Sequence, residues 1–387
     1  MGIMSNTVSI FQYEVQGRIP EKDQKLWVQQ RLAENRFEPV DTTPDPESSG
    51  WVRFDEHANS DFSSLAAFNF EDYCIFTLRR DVRKVPAALV KNLVEKECGE
   101  WLRERPKLHK VPLSRKREIR ENVHAALLAR SLPEPSLYDV LWDLKAGVVT
   151  VANISAKVLD LVEDEFSATF DGLSLVPIHP IRRAERLLTQ EQRRGLDRLN
   201  QAPARDVLQQ IKKNRWLGWE FLQWLMYRSA EGSSEYRVAR EGVAEKGDQF
   251  IAFVHDRFVL TEEHEEGTRK SSITGPQKDF SEARKAIQSG KNITEATIHL
   301  EKDMFKWKLS LKGDIFAFAS FSCPPVKIER DGATDPSMER DAVFFERMAL
   351  LETGIQLFES LLSSYLDDRM SGSWPKITKA MSEWLHT

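Results

Sequence analysis

The chain has 387 residues with 55 Lys and Arg against 60 Asp and Glu, a formal net charge of -5, 41% hydrophobic residues and 30% charged ones. These values are ordinary for a soluble globular protein and leave room for two or three domains with a sizeable core. Three cysteines, Cys74, Cys98 and Cys323, form no CxxC spacing and point to reduced thiols and a cytoplasmic setting. The opening MGIMSNTVSIFQYEV lacks the basic and apolar regions of a secretory signal, and the longest apolar run, Trp216 to Tyr227, is about half of what a bilayer requires.

In chain order, alternation over residues 6–15 predicts a strand, and spacing over 21–37 predicts an amphipathic helix with Leu26, Trp27, Gln30 and Ala33 near its buried side. DTTPDPESSG (41–50) reads as a loop, followed by strands at 51–54 and 73–78. Between Arg79 and Arg130 the chain becomes strongly basic, with fifteen Lys and Arg against seven Asp and Glu, so the remainder carries -13. A concentrated cationic block on an acidic protein points to a polyanionic partner.

This block reads as two helices. Pro86 opens the first, Val90, Val94, Cys98, Trp101 and Leu102 recur at helical spacing, and Pro106 stops it. The second is expected to begin with Ser114 as N-cap and to bury Ile119, Val123, Ala126 and Leu127. Its first turn reads Arg115, Lys116, Arg117, where the helix dipole disfavours cations. A phosphate would relieve that conflict, and Arg117, Arg120 and His124 share a face away from Ile119 and Val123. A solvated helix with an internal Arg117 to Glu121 pair explains the same residues equally well.

Further along, 137–144 and 148–152 predict a hairpin around Lys145, Ala146 and Gly147, followed by a helix at 155–169 and a strand at 173–178. Residues 179–215, with ten basic side chains against four acidic, read as an exposed helical insertion or linker with little apolar surface. WLGWEFLQWLMYRS reads as a buried helix rather than a base-stacking surface. Strands are expected at 249–254, 257–261 and 269–274, a helix at 278–288, and a meander at 292–300, 304–311 and 314–321. A long helix at 338–368 carries an apolar stripe that needs the core or another subunit. The implied division is 1–85 (α+β), 86–178 (basic helices and hairpin), 179–215 (insertion), 216–330 (α+β) and 331–387 (C-terminal helices).

Catalytic motifs do not emerge. HExxH, Walker A and GxSxG patterns are lacking, and SGKNIT at 289–294 has no upstream glycine and carries Asn292 at the metal-holding position. The eight histidines have no zinc spacing. The acidic run EEHEEG at 262–267 is the best basis for a nuclease, against the plainer reading of a solvated loop. No catalytic residue, metal or cofactor is therefore expected.

The runs PAALVKNLVEKECGEWL, LSRKREIRENVHAALLARSL and YDVLWDLKAGVVTVANISAKVLDLVEDEF, ending in SLVPI, resemble the recombination-associated protein RdgC family in their order. GW at 50–51, KDFSEARKAIQSGKNITEATIHLEKDMFKWKLSLKGDIFAF and DAVFFERMALLETGIQLFESLL fit the same order. The resemblance implies an α+β fold of mixed sheets with flanking helices, a possible ring-forming homodimer, and largely sequence-independent binding of double-stranded DNA. It further implies a nucleoid-associated protein that restrains the RecA recombinase, without enzymatic activity.

By position the resemblance makes Lys91, Lys116, Arg120 and Arg130 DNA contacts, which join Arg115 and Arg117 from the helix argument; Trp142 matches a core aromatic. The family's Pro-Arg-Ala-Phe is replaced here by Ala129, Arg130, Ser131 and Leu132. That departure makes Leu132, expected at the tip of the basic unit, the candidate dimer contact. The competing classes are a nucleic-acid-processing enzyme and a protein-interaction module.

Overall fold

The computed structural model describes residues 2–20, 22–40, 46–200, 207–264, 267–277, 279–327 and 335–387. In chain order the elements are β1 (Thr7–Gln16), α1 (Gln24–Glu34), β2 (Glu47–Val52), β3 (Asn69–Phe70), β4 (Tyr73–Arg83), α2 (Ala87–Arg103), α3 (Leu113–Leu128), β5 (Pro133–Asp143), β6 (Val148–Val151), α4 (Ala156–Thr169) and β7 (Ser174–Pro177). There follow α5 (Pro180–Leu187), α6 (Gln190–Leu199), α7 (Val207–Lys213), α8 (Trp219–Glu231), β8 (Glu235–Arg237), β9 (Gln249–His264), β10 (Gly267–Thr274), α9 (Ser281–Gln288), β11 (Asn292–Lys302), β12 (Phe305–Lys312), β13 (Ala317–Ser322), α10 (Pro336–Met370) and α11 (Trp374–His386). This is an α+β architecture. No helix among the described residues is long and apolar enough to cross a membrane.

Two compact units divide the chain: Met1–Gly17 with Leu141–Glu163 and Ser174–Thr387, and Arg18–Val140 with Asp164–Leu173. The first is built on an antiparallel sheet in the order β10-β9-β11-β12-β13-β1-β6, with β7 also on β1 and β8 on β9. Strict alternation gives the sheet one buried face, as in Trp307, Leu309 and Leu311 of β12. The expected strands at 249–254 and 257–261 are one strand, β9, because bulges in its pairing with β11 absorb the irregularity between them.

Against this unit's core pack α8 and α10. Phe221 of α8 lies edge-on to Phe316, Phe358 and Tyr365, so the aromatic run is indeed core. The apolar stripe of α10 is consumed within the same unit. Phe344, Met348, Leu351, Phe358 and Leu362 are buried, and the Trp307 indole donates to the Leu350 carbonyl at 2.8 Å. At Gly354 a Cβ would lie 2.7 Å from both the Phe321 and Trp307 rings, so only glycine permits this approach.

Residues 179–215 differ from their composition. Ile181, Ala184, Leu187 and Leu196 are buried, and Arg183, 2% exposed, donates to Glu359 and Gln12 at 2.7 Å each. Its guanidinium also lies 5.3 Å from the Phe318 ring. An arginine that reads as surface charge is thus a buried tie between β1, α5 and α10. Residues 201–206 of this stretch lie outside the described residues.

In the second unit β4 lies between β2 and β5, with β3 also paired to β4. The loop expected at 41–50 gives way to strand from Glu47, since Glu47–Val52 pairs with Thr77–Val82; residues 41–45 lie outside the described part. Gly50 admits this arrangement, because a Cβ there would sit 2.5 Å from the Phe37 Cα. The core gathers Trp51, Phe76, Phe166 and Phe170, and the Trp51 indole donates to Thr169 at 2.7 Å. The helices expected at 21–37 and 278–288 are shorter, at Gln24–Glu34 and Ser281–Gln288, and the final helix is followed by α11. Glu21 and Lys278 lie outside the described residues.

His179, buried ahead of α5, has its pKa pushed down to about 4 by burial first and by the Arg182 charge second, against an opposing bond from Gln210. An unfolded histidine titrates near pH 6.5, so the unfolded chain binds more protons between those values. Stability is therefore complete above about pH 6.5 and should fall, by on the order of 3 kcal/mol, as pH approaches about 4. His179→Gln should flatten that section of the urea-midpoint profile.

Candidate nucleic-acid interface

The basic block folds as a helical hairpin with a core of its own. Val90 and Val94 of α2 pack with Ile119 and Val123 of α3, and Trp101, Cys98, Val111 and Leu127 complete the seam. Helical spacing marks these positions except Val111, which lies in the connection, and it also marks Ala126, which is exposed. The helices run antiparallel, because Ser131 just beyond α3 donates to the Lys84 carbonyl just before α2 at 2.8 Å. Lys84 also pairs with Glu134 at 2.6 Å. The connection 104–112 is therefore the tip, about 25 Å from the base for a helix of this length.

Two expectations change here. Ser114 is not the N-cap: α3 begins at Leu113 after Pro112, whose fixed φ suits a helix entrance, and the cap position makes no side-chain bond. Leu132 is not at the tip, because it follows Ser131 at the base, where it is 85% exposed.

The cations divide by partner. Arg115 pairs with Glu118 at 2.6 Å, on the side of α3 away from the other candidates. Arg105 bonds Glu104 and lies 4.4 Å from the Trp101 ring. Lys91, Lys116, Arg117, Arg120 and Arg130 are exposed, and among the described residues no carboxylate lies within 4 Å of them. The Arg117 to Glu121 pair of the solvated alternative does not form.

At 100° per residue Lys116, Arg117, Arg120 and His124 fall along one face of α3, beside rather than opposite the seam. Lys91, early in α2, and Arg130, after α3, sit toward the base. Lys107, His109 and Lys110 are exposed in the tip connection. The arrangement presents fixed positive charge along a rod and offers no nucleophile and base in contact.

Sequence reasoning missed Leu113, which is 87% exposed and heads the same face as Lys116 and Arg117. A lone apolar residue in a first turn carries little signal, since it reads as part of the buried stripe.

Elsewhere, Asp256 accepts from His255 at 2.9 Å, from His299 at 3.1 Å and from Lys308, and the Lys308 bond first of all holds its carboxyl below the ordinary range. Phe253 stacks on His299 at 5.0 Å, and burial lowers the imidazole pKa. Among the described residues no group of three or more His, Cys, Asp or Glu is arranged to hold a metal ion. Of EEHEEG, Glu262 to His264 end β9, Glu263 pairs with Arg215 at 2.8 Å, and residues 265–266 lie outside the described part.

Because the hairpin carries a separate small core, Ile119→Ala should destabilise it by about 2–5 kcal/mol. Amide exchange should quicken in α2 and α3 while the β9–β13 sheet keeps its protection, as mass spectrometry would show.

Comparison with known proteins gives one family. Residues 7–191 match the family model described as "Putative exonuclease, RdgC". No curated protein matches the sequence. The matched span contains β1, the whole hairpin and α5, so part of the expected insertion lies inside it. Residues 7–191, a little under half of the chain, carry every cation of the candidate interface and are what is similar to the RdgC family.

Proposed function

We propose that this chain binds double-stranded DNA through the phosphate backbone with little regard to sequence, using the α3 face of Lys116, Arg117 and Arg120 together with Lys91 and Arg130. The observation that supports this most is that these cations are exposed, with no carboxylate of the described residues within 4 Å, on a chain whose net charge is -5. Charge that ion pairs do not neutralise is available to phosphates, and backbone contacts of this kind position a protein without reading bases. Arg115, held by Glu118, has a secondary place in the contact. In this reading the protein is nucleoid-associated in the cytoplasm and acts by occupancy, denying duplex to RecA without cleaving it.

A nuclease is the second reading, supported by the word "exonuclease" in the description of the matched family. Incubation of labelled duplex with and without magnesium separates the two, since degradation would displace the occupancy reading.

Assembly as a homodimer, closing into a ring, belongs to the same proposal. Its support is Leu132, exposed at the hairpin base. The α10 stripe lends none, being covered within its own unit. Leu132→Asp should convert a dimer to monomer in sedimentation at micromolar concentration; a wild-type chain that sediments as a monomer would remove the ring.

If about six phosphates are engaged, affinity should fall roughly a thousandfold between about 50 and 200 mM salt. Arg117→Ala with Arg120→Ala should lower the salt slope by about two units and weaken all sequences alike. Folding should be untouched or slightly firmer, since cations leave a helix N-terminal half. Lys312 and Lys376 serve as the control.

A further inference from the structure

Resting on the DNA reading, we infer that Leu113 is an apolar wedge that enters the minor groove of the bound duplex and partly unstacks one base step. Leu113 is 87% exposed, the largest exposure among the large hydrophobic side chains of the described residues. A single exposed leucine is ordinary on a protein surface and would carry nothing alone. Its place decides otherwise.

From Leu113 the positions three, four, seven and eleven residues on are Lys116, Arg117, Arg120 and His124, all exposed. These spacings put them on one face of α3, so the leucine heads the stripe proposed to follow the phosphates. The stripe is about 16 Å long at 1.5 Å per residue, and Leu113 stands at its tip end. A duplex strand lying along Lys116, Arg117 and Arg120 would bring the leucine against the sugar wall beside those phosphates. Leucine is among the side chains that proteins drive between base steps from the minor groove, with cations beside them on the backbone.

Leu108, 45% exposed, occupies the tip connection between Lys107 and His109, so apolar and polar groups alternate there as well. An anionic membrane offers the same charge complementarity. It fits less well, because an interfacial helix presents a broad apolar face, and this face has one apolar residue among four polar ones.

The test uses the full chain and a random duplex with 2-aminopurine at successive positions. Wild-type protein should raise the fluorescence on binding, as a base leaves its stack. Leu113→Ser should abolish the rise and weaken binding about tenfold through lost apolar burial, with the salt slope unchanged. Leu113→Phe should restore both effects, and circular dichroism should show all three chains folded alike.

The wedge is overturned if wild type binds without a rise, if the rise survives in Leu113→Ser, or if that variant binds like wild type. Co-flotation with phosphatidylglycerol vesicles that depends on Leu113 would assign the residue to a membrane and overturn it as well. A wild-type chain that fails to bind duplex at all defeats the DNA reading itself, and the Arg117 and Arg120 double variant distinguishes that case. With backbone binding intact and salt-dependent, only the wedge is at stake.

Discussion

The packing of α2 on α3 decides where every cation of the hairpin points. Val90, Val94, Ile119 and Val123 form a narrow seam. With Ile119 and Val123 turned inward, the 3.6-residue repeat leaves Lys116, Arg117 and Arg120 on a neighbouring face and sends Arg115 to the far side, where Glu118 meets it. The charge density that sets this block apart would be a diffuse cloud on an unfolded segment. Fixed on a helix, it becomes a line.

The first unit works by a different rule. Its polar residues at depth are tied to one another instead of presented outward. Arg183 reaches Glu359 and Gln12, and Asp256 collects His255, His299 and Lys308. Removing the carboxylate partner of a buried charge such as Arg183 is strongly destabilising, because the guanidinium is left uncompensated, whereas the half-exposed Lys308–Asp256 pair contributes far less. The same arginine-rich composition therefore yields a structural tie in α5 and an open surface in α3, and the difference lies in whether a carboxylate is within reach.

Much of the fold was legible. Alternation marked β1, and helical spacing marked α2, α3 and α10, because each has one face on a core; at α1 it marked a helix but turned Leu26 and Ala33 inward, whereas both are exposed and Val28 and Leu32 are buried. Gly147 marked the β5–β6 turn, its φ of +63° being one that glycine accepts without strain. Long-range packing was not legible. Glu47 to Gly50 look like turn residues and become a strand only because β4 is alongside, and the stripe of α10 could not say whether its own sheet or another subunit would cover it. The cations of the interface were visible in the charge count. Their freedom from ion pairs, the inward direction of Arg183 and the exposure of Leu113 depend on neighbours far away in the chain, to which local pattern is blind.

The separate core of the hairpin has a bearing on how such a surface can change over time. A residue on the outer faces of α2 or α3 answers to solvent and to whatever lies against it, and hardly to the β4 or β5 side chains beyond the Lys84 and Ser131 junction. Substitutions there can accumulate, and the spacing of charge along the rod can be retuned, without a compensating change in either sheet. Gly354 and Arg183 stand at the opposite extreme, where one atom more or one charge less disturbs several elements together. Within one chain, a freely drifting surface is thus carried by a scaffold that tolerates almost no drift at its joints.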